Sequence, residues 1–276
     1  MLGKLFKYEF KNTSKIMLTI YAVLIAVTAL GMGVMSFDAF QQNNNPVVSI
    51  ITCLYLLVYV LSIFALLIVT YVYLSIHFYK TMYSTQGYLT HTLPVKPVST
   101  LHVKLLTALV WMLLSMFIMF LSVMGLVFAT AGPDIFKELR SYNFSELNDA
   151  LVYNFGLNIV ELFFAALIGV ISSCLIFLLM VYLSCSIGQL FNQHKVAASI
   201  VAGIVLYFLQ QMISSAIMLI QLVNSSLITT SALESDSAIA NYYSSSLWSG
   251  IIMNLAFVAI YYIACRIILK KHINLE

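Results

Sequence analysis

The sequence predicts an all-α integral membrane protein: a bundle of six transmembrane helices preceded by an amphipathic interfacial helix. Three observations predict it. The first is composition: of 276 residues, 62% are hydrophobic and only 8% are charged. A soluble domain carries about 25% charged residues, so 13 basic and 10 acidic groups cannot cover a chain of this size in water. That excludes a soluble enzyme, a nucleic-acid binder and a disordered chain. The second is the spacing of the charges, which leaves six long charge-free windows: Ile16–Phe37, Ala39–Tyr79, Leu105–Pro133, Leu162–His194, Val196–Leu233 and Ser237–Cys265. Each exceeds the ~20 apolar residues that a spanning helix needs. The third is the placement of Lys and Arg, which alternates from one inter-helix segment to the next.

Leu2–Lys15 is an amphipathic helix: at 100° per residue Lys4, Lys7, Lys11 and Lys15 share one arc, with Leu2, Leu5, Phe6 and Phe10 opposite. It is expected over residues 1–15, in the inner interface, its lysines toward anionic head groups. Glu9 falls in the middle of the apolar face; either it snorkels or it meets a donor on another helix or on a partner protein. The first span is expected near 16–36. Its apolar run is too long for a signal peptide and no small-residue cleavage site closes it, so it is expected to remain. The second window opens on a polar stretch, Gln41–Pro46, and its apolar remainder holds one span, near 48–78. The others are expected near 102–130, 159–189, 196–222 and 246–268. No internal boundary is visible, and the chain reads as a single transmembrane domain, 1–276.

Orientation is set by the positive-inside rule. With the N-terminus in the cytoplasm, 11 of the 13 basic residues fall inside and only Lys137 and Arg140 fall outside. Both termini are then cytoplasmic.

Several chemistries have no motif here. There is no G-x-x-x-x-G-K-[ST] phosphate loop, no H-E-x-x-H and no Cys/His cluster at metal spacing. The five histidines (His77, His91, His102, His194, His272) fit no metal site. Cys53, Cys174, Cys185 and Cys265 lie inside apolar runs and read as small packing residues. No predicted span carries a charge in its middle, where ion-coupled transporters need one. No catalytic residue and no metal ligand is assigned.

Some polar groups do lie at membrane depth. Gln210, Gln211, Ser214 and Ser215 sit near the centre of the fifth span, where an unpaired amide is costly. They either line a path or fix helix packing. Ala198, Ser199, Ala202 and Gly203 allow close helix approach. Tyr55 and Tyr59, four apart in the second span, either line a cavity for an amphipathic substrate or pack. Glu161 falls at the start of the fourth span, where it suits a helix N-terminus.

Between the second and third spans, residues 79–101 form a loop with no acid and several large apolar groups. Gly87 permits a turn, Pro94 and Pro97 end any helix, and Ser99 suits an N-cap. A short helix there, exposing Tyr and Leu, suits the groove of a cytoplasmic partner; the alternative is a re-entrant turn packed on its own bundle.

Two stretches carry a resemblance. The opening, Met-Leu-Gly-Lys-Leu-Phe-Lys-Tyr-Glu-Phe-Lys over residues 1–11, resembles the start of small ABC-2 type permeases. Gly-Tyr-Leu-Thr-His-Thr-Leu-Pro-Val over 87–95 looks like their loop between helices two and three. The resemblance implies the transmembrane subunit of a bacterial ATP-binding-cassette exporter, in the cytoplasmic membrane. It implies a homo- or heterodimer of permease subunits that binds two copies of an ATPase subunit. ATP and Mg would be bound by that ATPase, with no cofactor on this chain and no nucleic acid as partner. The amphipathic start, with Phe6, Glu9 and Phe10, would be an interfacial connecting helix. Tyr83, Gly87, Tyr88, Leu89, Thr92, Leu93 and Pro94 would belong to a cytoplasmic coupling helix. Tyr55, Tyr59, Gln210, Gln211 and Ser214 would lie on the substrate path. One departure is Ser84-Thr85-Gln86, where such permeases often carry acids. The expected cargo is an amphipathic or hydrophobic peptide, drug or lipid. The alternatives are an immunity or sensor subunit that signals to a partner, and a membrane enzyme acting on lipid.

Overall fold

The computed structural model describes residues 2–35, 46–84, 87, 97–131, 143–191, 193–224 and 236–271, almost all of them helical. The helices are α1 (Leu2–Met35), α2 (Pro46–Tyr83), α3 (Pro97–Ala131), α4 (Phe144–Phe155), α5 (Ile159–Gly188), α6 (Lys195–Asn224) and α7 (Asp236–Lys271). All but α4 are long and apolar enough to cross a membrane, so among the described residues there are six such helices, in the expected order. Their outward surfaces carry Leu, Ile, Val and Phe in quantity, as lipid contact requires.

Several helices outrun the charge-free windows. α1 has 34 residues, about 51 Å at 1.5 Å per residue, against a hydrocarbon core of ~30 Å. It is one uninterrupted helix, so no break separates residues 2–15, expected as an interfacial helix, from the residues after them. α7 begins at Asp236, about ten residues before the expected span. Polar residues end a hydrophobic window without ending a helix. Pro97 is the first residue of α3 and Pro46 the first of α2, the N1 position where the missing N–H costs nothing. Ser99, expected to cap α3, therefore lies inside it.

Local chemistry sets other ends. α4 stops at Gly156, whose φ of 67° is left-handed and suits glycine. At the start of α5, the backbone N–H of Asn158 donates to Glu161 Oε2 at 3.1 Å, and Ile159 N–H donates to Asn148 Oδ1 of α4 at 3.1 Å. Glu161 thus serves the helix start, as its position suggested.

Contacts group the chain into two compact units: residues 1–77 with 102–141, and 78–101 with 142–276. The division cuts α2 after His77 and α3 before His102.

The first unit is held by buried polar tiers. Tyr21 OH donates to the Trp111 carbonyl at 3.0 Å and lies 2.9 Å from Ser115 Oγ. Ser122 Oγ meets Thr28 Oγ1 at 2.7 Å and Tyr59 OH at 2.8 Å. Trp111 Nε1–H donates to Thr13 Oγ1 at 2.8 Å, and its ring stacks on Phe10 at 4.4 Å between centroids. In hydrocarbon each such bond satisfies a group that has no water to turn to.

In the second unit α5 packs against α6 and α7, and α4 against α7. Leu178, Leu179, Tyr182, Cys265 and Leu269 are almost fully buried. A Cβ on Gly188 would strike Ser199 Oγ and the Lys195 carbonyl, and one on Gly203 would touch Ser184. The small residues of α6 therefore serve close approach to α5 within the chain. Cys174, Cys185 and Cys265 are buried free thiols and Cys53 is an exposed one.

Candidate functional site

Two clusters stand out, one in each unit. In the first, Glu9 of α1 meets His77 of α2 and Lys104 of α3. His77 Nε2 and Lys104 Nζ each lie 2.8 Å from Glu9 Oε1. A carboxylate only accepts, so both nitrogens donate. Lys104 is 5% exposed and Glu9 18%, so the three charged or polar heads are largely withdrawn from the surface. The Tyr73 ring stacks beside His77 at 6.0 Å. The α1 sequence explains the tie: residues 6, 9, 10 and 13 share a face, and that face also carries the Phe10 and Thr13 contacts to Trp111.

Of the residues expected on the interfacial helix, Phe6 stacks on Phe10 at 5.9 Å and Phe10 on Trp111. Glu9 has found its donors on two other helices. Neither donor was legible from spacing. His77 read as an interfacial histidine and Lys104 as one of the positive-inside lysines. The signal available was a lone acid on an apolar face, which demands a partner without naming it.

The second cluster lies where α2 ends. Phe78 stacks face to face on Tyr182 of α5, with centroids 3.6 Å apart and planes within 8°. Tyr83 OH lies 2.7 Å from Ser186 Oγ, which contacts Cys265 Sγ at 3.6 Å. Gly87 N–H donates to the Ser84 carbonyl at 2.6 Å. Gly87 is buried, and a Cβ there would meet the Met82 carbonyl oxygen at 2.5 Å. No side chain fits at that turn. Of the expected coupling residues, Tyr83 and Gly87 thus pack at the root of the loop; Tyr88, Leu89, Thr92, Leu93 and Pro94 lie outside the described residues.

The expected path residues belong to different units. Tyr55 and Tyr59 stack at 6.2 Å in the first unit, and Tyr55 OH donates to the Val27 carbonyl at 3.1 Å. Tyr59 is buried on Ser122. Both hydroxyls are engaged in helix packing. Gln210, Gln211 and Ser214 belong to the second unit; Gln211 is exposed, Gln210 and Ser214 are half-buried, and Ser214 Oγ donates to the Gln210 carbonyl at 2.9 Å. α6 buries only Ser199, so its polar centre faces mostly outward from this chain.

Among the described residues no group of His, Cys, Asp and Glu has the arrangement of a metal site. Comparison of the chain with family models, curated proteins and solved structures finds no match.

Proposed function

We propose that this chain is the permease subunit of an ATP-driven exporter of the ABC-2 type. It would move an amphipathic or hydrophobic substrate (peptide, drug or lipid) out of the cytoplasm or inner leaflet of a bacterial membrane. It pairs with a second permease subunit and with two ATPase subunits that carry the ATP and Mg. Both termini and the loop after α2 face the cytoplasm, and residues 2–15 act as the connecting helix.

The observation that carries the reading is the construction at the loop root. A loop that receives force must be stiff where it enters the bundle. Phe78 on Tyr182, Tyr83 on Ser186 and the closed turn at Gly87 tie the end of α2 to α5 through aromatic packing and hydrogen bonds. Such contacts transmit displacement because a packed core does not yield. A partner pushing on residues 88–94 would move α2 and α5 together. The resemblance of residues 1–11 and 87–95 and the six long apolar helices point the same way.

The test is association. Purified with the ATPase encoded beside it, the wild-type chain should hold that ATPase, and the Leu89→Asp/Leu93→Asp variant should lose it while keeping its own elution profile. Stable binding by the double variant removes the coupling assignment. An adjacent frame that encodes no ATPase, with ligand-dependent signalling instead, favours the sensor reading.

A further inference from the structure

At the level of the Glu9 cluster, α1 and α3 leave an apolar groove of about 330 Å³ between them. Leu2, Gly3 and Phe6 line one wall; His102, Val103 and Leu106 line the other. All six belong to the first unit. The depth of the groove is set by chemistry. A carboxylate, an ammonium and an imidazole joined at 2.8 Å do not belong in hydrocarbon, so this end of α1 and α3 lies at the membrane boundary. Lys104, between the groove residues Val103 and Leu106, puts the groove at that same height.

On α1 and α3, among the described residues, the exposed charge has one sign. Lys4, Lys7, Lys11 and Lys15 are exposed along α1. Lys7 comes one helical turn after Gly3, beside the groove. α3 has no acid, and the only acid on α1 is Glu9, whose charge is taken up by Lys104. The tie therefore removes the one group that would repel an anion here.

We infer that this groove holds an acyl chain of an anionic phospholipid, with Lys7 and His102 receiving its phosphate. A hydrocarbon slot beside a row of cations at the boundary matches a lipid whose tail and head are joined. A free phosphate has nothing to place in the slot. A neutral lipid gains nothing from the lysines. The inference needs a membrane protein but no exporter, and its test contains no ATPase.

Gly3 gives a clean experiment. A Cβ there would meet nothing within 4 Å, so Gly3→Phe fills the groove without disturbing the fold. Leu106→Gln, at a half-exposed position, makes the same slot polar and serves as the second variant. The full chain in neutral detergent is measured by native mass spectrometry with palmitoyl-oleoyl phosphatidylglycerol, the matching phosphatidylcholine, and inorganic phosphate as competitor. The wild type should keep one phosphatidylglycerol in preference to phosphatidylcholine. Lys7→Gln should lower that preference about fivefold, the value of one lysine near an anionic head group. Gly3→Phe and Leu106→Gln should weaken both lipids. Equal retention of the two lipids by the wild type, undiminished retention by both groove variants, or displacement by inorganic phosphate alone would each overturn the assignment.

Discussion

Glu9 shows how much a single carboxylate can organise. It accepts from Lys104 and from His77 through one oxygen, and so joins three helices whose contact residues are 68 and 95 positions apart. Removing Lys104 leaves a largely buried carboxylate with His77 as its remaining donor and no opposing ammonium, which costs more than the pair itself contributes. Lys104→Met should therefore destabilise the chain by about 3 kcal/mol, seen as an earlier unfolding transition in a detergent thermal-shift assay. Glu9→Gln/Lys104→Met should recover a substantial part of that loss, because no charge is left without a partner. If the double variant unfolds no later than the single one, the ion pair is not what the lysine contributes. The sequence exposed the problem, an acid on an apolar face, and withheld the solution. Pairings across 68 and 95 residues depend on how helices rotate about their axes, and a uniformly apolar helix carries little record of that rotation.

At the scale of the helix, number was easier to read than extent. Lipid forces every span to be apolar and helical, so the six windows appear plainly in the sequence. Their boundaries mark where hydrocarbon stops being required; the helix itself continues until a proline, a glycine or an unsatisfied cap ends it. That is why α1 runs back to Leu2 and α7 begins at Asp236. The glycines separate these roles. Gly188→Leu should split α5 from α6, since its side chain would have to enter the space of Ser199 Oγ and the Lys195 carbonyl; overpacking two backbones should cost several kcal/mol. Gly250→Ala, where a Cβ meets nothing, should be neutral or stabilise by up to about 1 kcal/mol through helix propensity. The same thermal-shift series measures both. Equal effects would mean that the α5–α6 approach is not close. A Tyr on a spanning helix suits a cavity or a neighbouring carbonyl equally, and the partners of Tyr55 and Tyr59, the Val27 carbonyl and Ser122 Oγ, lie on other helices that spacing alone does not name.

For the molecule as a whole, an even number of crossings returns the chain to the side from which it started. Cysteines placed at Lys4 and Lys270, in a chain whose own four cysteines are replaced by alanine, should react with an impermeant maleimide from one face of sealed vesicles. A cysteine at Glu146 should react from the other face. Labelling of positions 4 and 270 from opposite faces would show that one of the six long helices does not cross. The seating of Trp111 beneath Phe10 and Thr13 has a practical consequence here. The chain has only two tryptophans, and the other, Trp248, is 39% exposed. A Trp248→Phe protein would emit from a single shielded indole. Its fluorescence should shift to the red, and iodide should begin to quench it, whenever the first helix lifts from the third, giving an optical signal for that motion without any attached dye.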